Sequence, residues 1–150
     1  MGNSGQRLKV LVADDSQGDA FIIARALSEF DSRCDVRTVG DGEALLRVLK
    51  LRPGNTDILQ SKLPDIIFID LYMPKIYGMQ ALQEIKQAPH LTQIPCVVMS
   101  AFSTDSDRQE ADRLGAAAFI QKPESLKEFR SAITEIEHII NSTTRRHTSS

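Results

Sequence analysis

Five polar residues stand where apolar runs of this chain end. Asp14 and Asp15 follow "LKVLVA", Asp70 follows "IIFI", Ser100 follows "PCVVM", and Lys122 comes just after "AAFI". Carboxylates are seldom buried without partners. A run such as "FIDLYMP", which delivers Asp70 and stops at Pro74, therefore presents its carboxylate to something. Each residue alone has an ordinary reading. An aspartate pair after a strand also makes a helix-capping turn, a serine also makes a turn, and a lysine is also a solvated charge.

Together they define a chemistry. Two carboxylates about 4 Å apart repel by about 4 kcal/mol at an effective dielectric of about 20. Three crowded ones raise one another's pKa values or take a cation. Lys122 brings one positive charge, and a small hard divalent ion would supply the rest. A few carboxylate oxygens plus water suit Mg²⁺. A metal, a lysine and a hydroxyl around one carboxylate form an arrangement that accepts a phosphoryl group. The cations neutralise the transferring oxygens and the carboxylate attacks in line.

That chemistry needs all five groups at one edge of the fold. The runs Leu8–Ala13, Ile66–Ile69 and Pro95–Met99 are continuous rather than alternating, as parallel strands covered on both faces are. Cys34–Val39 and Ala117–Ile120 are weaker strands. Helical stripes lie between them: Ile23, Leu27 and Phe30; Ala44, Leu45, Val48 and Leu49; Ala81, Leu82 and Ile85; and Ala111 with Leu114, which stops at a C′ glycine, Gly115. The last helix opens on a capping box, Ser125 with Glu128, and carries Leu126, Phe129, Ile133, Ile136 and Ile140 on one face.

The alternation predicts an α/β fold of five strands and five helices. Right-handed crossovers make it a doubly wound parallel sheet. The expected order is the flavodoxin-like 2-1-3-4-5, with ligands beyond the carboxyl ends of strands 1 and 3. The five polar groups then share that edge. The domain is expected over 7–141, with disordered polar ends at 1–6 and 142–150. Leu51–Asp65, with its Pro-Gly pair, is an unusually long surface loop before the third strand.

A chain of 150 residues fits one domain, and its net charge of −2 creates no field toward nucleic acid or lipid. No apolar run approaches the roughly 20 residues of a membrane span. The start "MGNSGQ" has no signal-peptide core, and Gln6 fails the myristoylation pattern. A cytoplasmic protein that contacts neither membrane nor nucleic acid is expected. Cys34 and Cys96 fall on strands 2 and 4, three strand spacings or about 14 Å apart. That is beyond disulfide reach, and both read as small buried hydrophobes. His90, His138 and His147 are isolated and read as surface residues.

The blocks "LVADDS", "IIFIDLYMPKIYGMQALQEIK", "VVMSAF" and "FIQKP" resemble the signature blocks of the response-regulator receiver domain of two-component signalling. They fall in order on the matching elements, over about Leu8 to Ile140. The resemblance implies Asp70 as phosphoacceptor from a histidine kinase, with Asp14, Asp15, Asp70 and the Tyr72 carbonyl around Mg²⁺. It implies phosphoryl contacts from Ser100 and Lys122, a switch aromatic at Phe119, and a cis peptide at Lys122–Pro123. It places Tyr72 and Phe102 beside the path of the attacking water, where two bulky rings are expected to obstruct it. Readout is expected through protein contact on the face of helix 4, strand 5 and helix 5, where Asp105, Asp107, Arg108, Glu110, Asp112 and Arg113 crowd the helix 4 surface. A homodimer stays open. The hydroxyl position holds Ser100 rather than the commoner threonine. The long loop and the missing output domain resemble the stand-alone regulators paired with bacterial phytochrome kinases.

Such a protein signals by contact and catalyses only its own phosphorylation and dephosphorylation. Output effector, relay intermediate and phosphate sink all fit these residues. A haloacid-dehalogenase-type phosphohydrolase would want a second carboxylate two residues after its nucleophile, where this chain has Tyr72. A flavodoxin-like cofactor binder would need a phosphate-cradling loop after strand 1, where "DDSQGD" repels a phosphate unless a metal intervenes.

Overall fold

A computed structural model of the chain describes residues 7–54, 62–102 and 104–149. Strands β1 (Leu8–Ala13), β2 (Cys34–Val39), β3 (Ile66–Asp70), β4 (Cys96–Ser100) and β5 (Ala118–Gln121) alternate with five helices. These are α1 (Gln17–Phe30), α2 (Gly42–Val48), α3 (Gly78–Gln87), α4 (Asp105–Arg113) and α5 (Leu126–Ser149). The sheet is parallel throughout, in the order β2-β1-β3-β4-β5. This is the expected doubly wound topology. Its register brings the carboxyl ends into line: Ala13 lies beside Ile69, Asp70 beside Met99, and Ser100 beside Gln121.

Alternate strand side chains feed two cores. On one face Leu11, Ile67, Ile69 and Val98 pack with Leu45 of α2, Leu49 just after it, and Leu82 and Ile85 of α3. On the other, Val10, Val12, Phe68 and Met99 meet Ile23 and Leu27 of α1 and Phe129, Ile133 and Ile136 of α5. The Phe68 and Phe129 rings meet edge-on, with centroids 6.3 Å apart. Two stripe assignments change. Phe30, at the last turn of α1, stays 37 % exposed, and Leu46, absent from the expected α2 stripe, is fully buried. Of the nine α4 residues only Ala111 is buried, so packing holds that helix weakly.

Side chains cap four helices. Ser16 caps α1, Asp41 α2, Thr104 α4 and Ser125 α5, each accepting a backbone N–H three residues on. The α5 capping box is shifted by one residue, because Glu128 accepts from the backbone N–H of Glu124 rather than that of Ser125. Gly115 takes φ +99° just after α4, as a C′ glycine does. The disordered tail expected from residue 142 is corrected, since α5 continues to Ser149. The apolar stripe ends at Ile140, but "NSTTRRHTS" contains no glycine or proline to stop the helix.

Residues 1–6 and the middle of the long loop, 55–61, lie outside the described residues. The loop's flanks are tied down. Arg52 grips Glu84 through two hydrogen bonds of 2.8 and 2.9 Å, and Asp65 accepts from the Lys9 N–H at 2.8 Å. Cys34 and Cys96 are buried and unpaired, and burial pushes their thiols up to about 12 and about 11. Both are inert thiols at neutral pH.

Gly78 positions the site from below. Its N–H donates to the Leu71 carbonyl at 2.9 Å, folding the start of α3 back against the end of β3, where Asp70 lies. A Cβ there would collide with the Asp70 carbonyl oxygen and stand 2.9 Å from Leu71 Cα. Backbone cannot rotate away as a side chain can. Gly78→Ala is therefore expected to cost about 1–3 kcal/mol, the usual range for overpacking. Urea unfolding checks this, and an unchanged midpoint would show that the loop yields freely.

Candidate functional site

Asp14, Asp70 and Lys122 meet beyond the carboxyl ends of β1, β3 and β5. The Asp14 N–H donates to the Val39 carbonyl at 3.0 Å, which extends the β1–β2 pairing by one residue and turns the carboxylate over the edge. Asp14 is 3 % exposed and Asp70 4 %, whereas Asp15 faces solvent. Oxygens of these three carboxylates lie within 4.8 Å of one another. The Lys122 backbone N–H donates to the Ser100 carbonyl at 2.8 Å. Its Nζ sits 3.0 Å from Asp14 Oδ1 and 3.0 Å from Asp70 Oδ2. Asp19 Oδ2 also lies 3.0 Å from that nitrogen. Sequence reasoning passed over Asp19, although it lies in the first turn of a helix that starts at this edge.

Three carboxylates thus face one ammonium, and Asp15 stands beside two of them. Burial pushes the Asp14 carboxyl up to about 6, against the lowering effects of its hydrogen bonds from the Ser16 N–H and Lys122. The Asp70 carboxyl is also raised by burial, with its Lys122 bond opposing. Burial alone would lower the Lys122 ammonium, but bonds to Asp70, Asp14 and Asp19 outweigh it and leave the pKa above the ordinary lysine value. Asp14 Oδ2 is buried and has no hydrogen-bond partner. An orphaned buried oxygen costs about 1–3 kcal/mol. A divalent cation seated among Asp14, Asp15 and Asp70 would satisfy that oxygen and offset the excess charge, so the donor set fits a hard metal ion.

The other expected site residues lie nearby in different roles. Ser100 is fully buried, but its hydroxyl turns to its own loop, donating to the Phe102 carbonyl at 2.9 Å and accepting from the Phe102 N–H at 3.2 Å. The Tyr72 N–H donates to Asp70 Oδ1 at 3.3 Å. Its ring, 57 % exposed, reaches α4 and donates from the hydroxyl to Asp107 Oδ2 at 3.3 Å. Phe102 is 81 % exposed. Phe119 is half-buried beneath the Arg108 guanidinium, which lies 4.9 Å from the ring centroid and donates to the Phe119 carbonyl at 3.3 Å.

The cis peptide expected at Lys122–Pro123 is corrected, because no peptide bond is cis among the described residues. Trans is the lower isomer before proline by about 0.5–1 kcal/mol. Lys122 reaches all three carboxylates from that backbone.

Residues 10–134 match the family described as the response regulator receiver domain. The response regulator Rcp1 of Synechocystis sp. is 28 % identical over 128 residues, covering 85 % of each chain. A solved structure of the phosphorylated cyanobacterial phytochrome response regulator RcpA superposes with a TM-score of 0.77 at 30 % identity, over 91 % of this chain and 96 % of that one. The Mn²⁺-bound form of Rcp1 gives 0.74 at 27 % identity, over 86 % and 91 %. Some relatives are longer: this chain spans 48 % of a probable transcriptional regulator from Porphyridium aerugineum. No helix among the described residues is long and apolar enough to cross a membrane.

Proposed function

This chain belongs to the response regulator receiver family, and from that premise we propose that it accepts a phosphoryl group from a sensor histidine kinase onto Asp70, with Mg²⁺. The observation that carries the reading is the placement of Asp70 between a lysine ammonium and an acidic pair with an unsatisfied buried oxygen. A carboxylate oxygen of Asp70 forms the new bond to phosphorus as the bond from phosphorus to the kinase imidazole breaks. The electron pair leaves with the imidazole. Lys122 meets the charge on the phosphoryl oxygens. Asp14, Asp15, Asp70 and the Tyr72 carbonyl would hold Mg²⁺, which would supply the remaining neutralisation. The Mn²⁺-bound and phosphorylated relatives support this assignment.

Ser100 then exchanges its Phe102 partners for a phosphoryl oxygen, and Phe119 turns inward as its Arg108 contact breaks. The readout passes through the face of α4, β5 and α5 to a protein partner. The loosely packed α4 suits such a two-state element. The chain acts by contact rather than as an enzyme on other substrates, and its likeness to a phytochrome response regulator puts phytochrome-linked kinases first among the donors to try. The test is incubation with acetyl phosphate, or with a panel of phosphorylated histidine kinases, with and without Mg²⁺. Intact mass should show Mg²⁺-dependent gain of one phosphoryl group. No gain from any donor would reject the reading.

The acyl phosphate is expected to decay slowly. Tyr72 and Phe102 are both exposed, and Tyr72 is tethered at its N–H to Asp70 and at its hydroxyl to Asp107. Replacing them together, Tyr72→Asn with Phe102→Glu, should speed hydrolysis by about 10-fold by opening and helping to orient the water path. Decay is followed after donor removal. An unchanged half-life would show that the rings are no gate.

A further inference from the structure

Lys122 has a partner that the metal cluster does not use. Its Nζ stands 3.0 Å from Asp14 Oδ1, 3.0 Å from Asp70 Oδ2 and 3.0 Å from Asp19 Oδ2. An ammonium has three N–H donors. Three carboxylates at this distance meet its whole donor capacity, and its side chain is almost fully buried among them.

Asp19 is held in place by a closed circuit. The Ser16 N–H donates to Asp14 Oδ1 at 2.9 Å. The Ser16 hydroxyl accepts from the Asp19 N–H at 3.2 Å, capping α1, and the Asp19 carboxylate returns to Lys122. Chemistry at the site changes the other two partners. Asp14 belongs to the metal-binding set with Asp15 and Asp70, and Asp70 loses its carboxylate charge when it becomes an acyl phosphate. Asp19 lies outside that set and is changed by neither event.

We propose that Asp19 is a positioning residue for Lys122, keeping the ammonium over Asp70 while its other two partners are drawn into metal binding and phosphoryl transfer. The kinetic part rests on Asp70 being the phosphoryl acceptor; the geometric part does not. Without Asp19, the long lysine side chain is free to drift, and displacements of an ångström at a reacting centre cost up to about 100-fold in rate.

Two variants and two readouts test this. Ser16 provides the cap of α1 in either variant, so both should fold, and a melting curve verifies it. Asp19→Ala should take phosphoryl from acetyl phosphate about 10-fold more slowly at saturating Mg²⁺. Its Mg²⁺ half-saturation should be unchanged. Asp19→Asn keeps an oxygen acceptor at the same reach and should fall between Asp19→Ala and the parent. In the metal-free protein with ¹⁵N-labelled lysine, the Lys122 ammonium signal should be protected from exchange in the parent and lost in Asp19→Ala.

A parent-like rate in Asp19→Ala overturns the proposal. So does a slowed rate matched by a shifted Mg²⁺ half-saturation, because that would make Asp19 a metal effect. An unchanged Lys122 signal overturns it whatever the kinetics. If the parent chain itself takes no phosphoryl group, the acceptor reading of Asp70 fails instead, and the Lys122 signal alone decides the role of Asp19.

Discussion

Asp70→Asn is expected to reduce Mg²⁺-dependent phosphoryl incorporation to background. The change is nearly isosteric. The amide oxygen can still accept from Lys122 at the position of Oδ2, and the backbone placement set by Gly78 and the β3–β4 register is untouched. What disappears is the anionic oxygen that attacks phosphorus, and a neutral amide does not replace it. The variant should also remain folded, since it removes one member of a crowded, buried acidic cluster. A loss of labelling in a cooperatively folded variant therefore isolates chemistry from stability. Full labelling of Asp70→Asn at the native site, located by peptide mapping, would move the acceptor elsewhere and undo the proposed function.

Stability should depend on pH and metal in linked ways. The Asp14 carboxyl titrates near 6 in the folded chain against an ordinary value of 3.8, chiefly because it is buried. A raised carboxyl binds its proton more tightly folded than unfolded. The folded state therefore gains stability as pH falls through about 6, and the gain is complete only near 3.8. That interval corresponds to a cost at neutral pH of at most about 3 kcal/mol. Asp70 is shifted the same way. Carboxylates held low by arginines, Asp31 by Arg33 and Glu84 by Arg52, work in the opposite sense. Their contribution is lost only below about pH 4.

Metal-free protein should thus resist urea better at pH 5 than at pH 7. Mg²⁺ at about a hundredfold excess over its dissociation constant should return about 2.7 kcal/mol at pH 7. Asp14→Asn should raise metal-free stability at pH 7 by about 1–3 kcal/mol and flatten the profile between pH 5 and 7. It should also weaken the response to Mg²⁺. If stability rises with pH across that window without metal, the buried cluster is not under electrostatic stress.

Much of this protein was legible before its structure because apolar runs and polar punctuation are local signals. "IIFID" reads as a buried strand that carries a carboxylate to its end, and the alternation of such runs with helical stripes leaves few topologies. The edge that collects Asp14, Asp15, Asp70, Ser100 and Lys122 follows from parallel strand direction alone. The errors have local causes as well. Phe30 continues the apolar period of α1 beyond the point where other elements cover it. The stretch after Ile140 lacks apolar residues, yet contains nothing that breaks a helix.

By itself the sequence determined the alternation of strands and helices and the side of the sheet where the acidic residues gather, because strand burial is a pattern within short segments and parallel crossovers have one hand. Tertiary structure alone decided how those residues pair. The third carboxylate on Lys122 comes from Asp19, the Ser100 hydroxyl is occupied by Phe102, and the Tyr72 hydroxyl lies on Asp107. Side-chain hydrogen bonds are settled over distances of about 3 Å between residues remote in the chain, and no periodicity encodes such a distance.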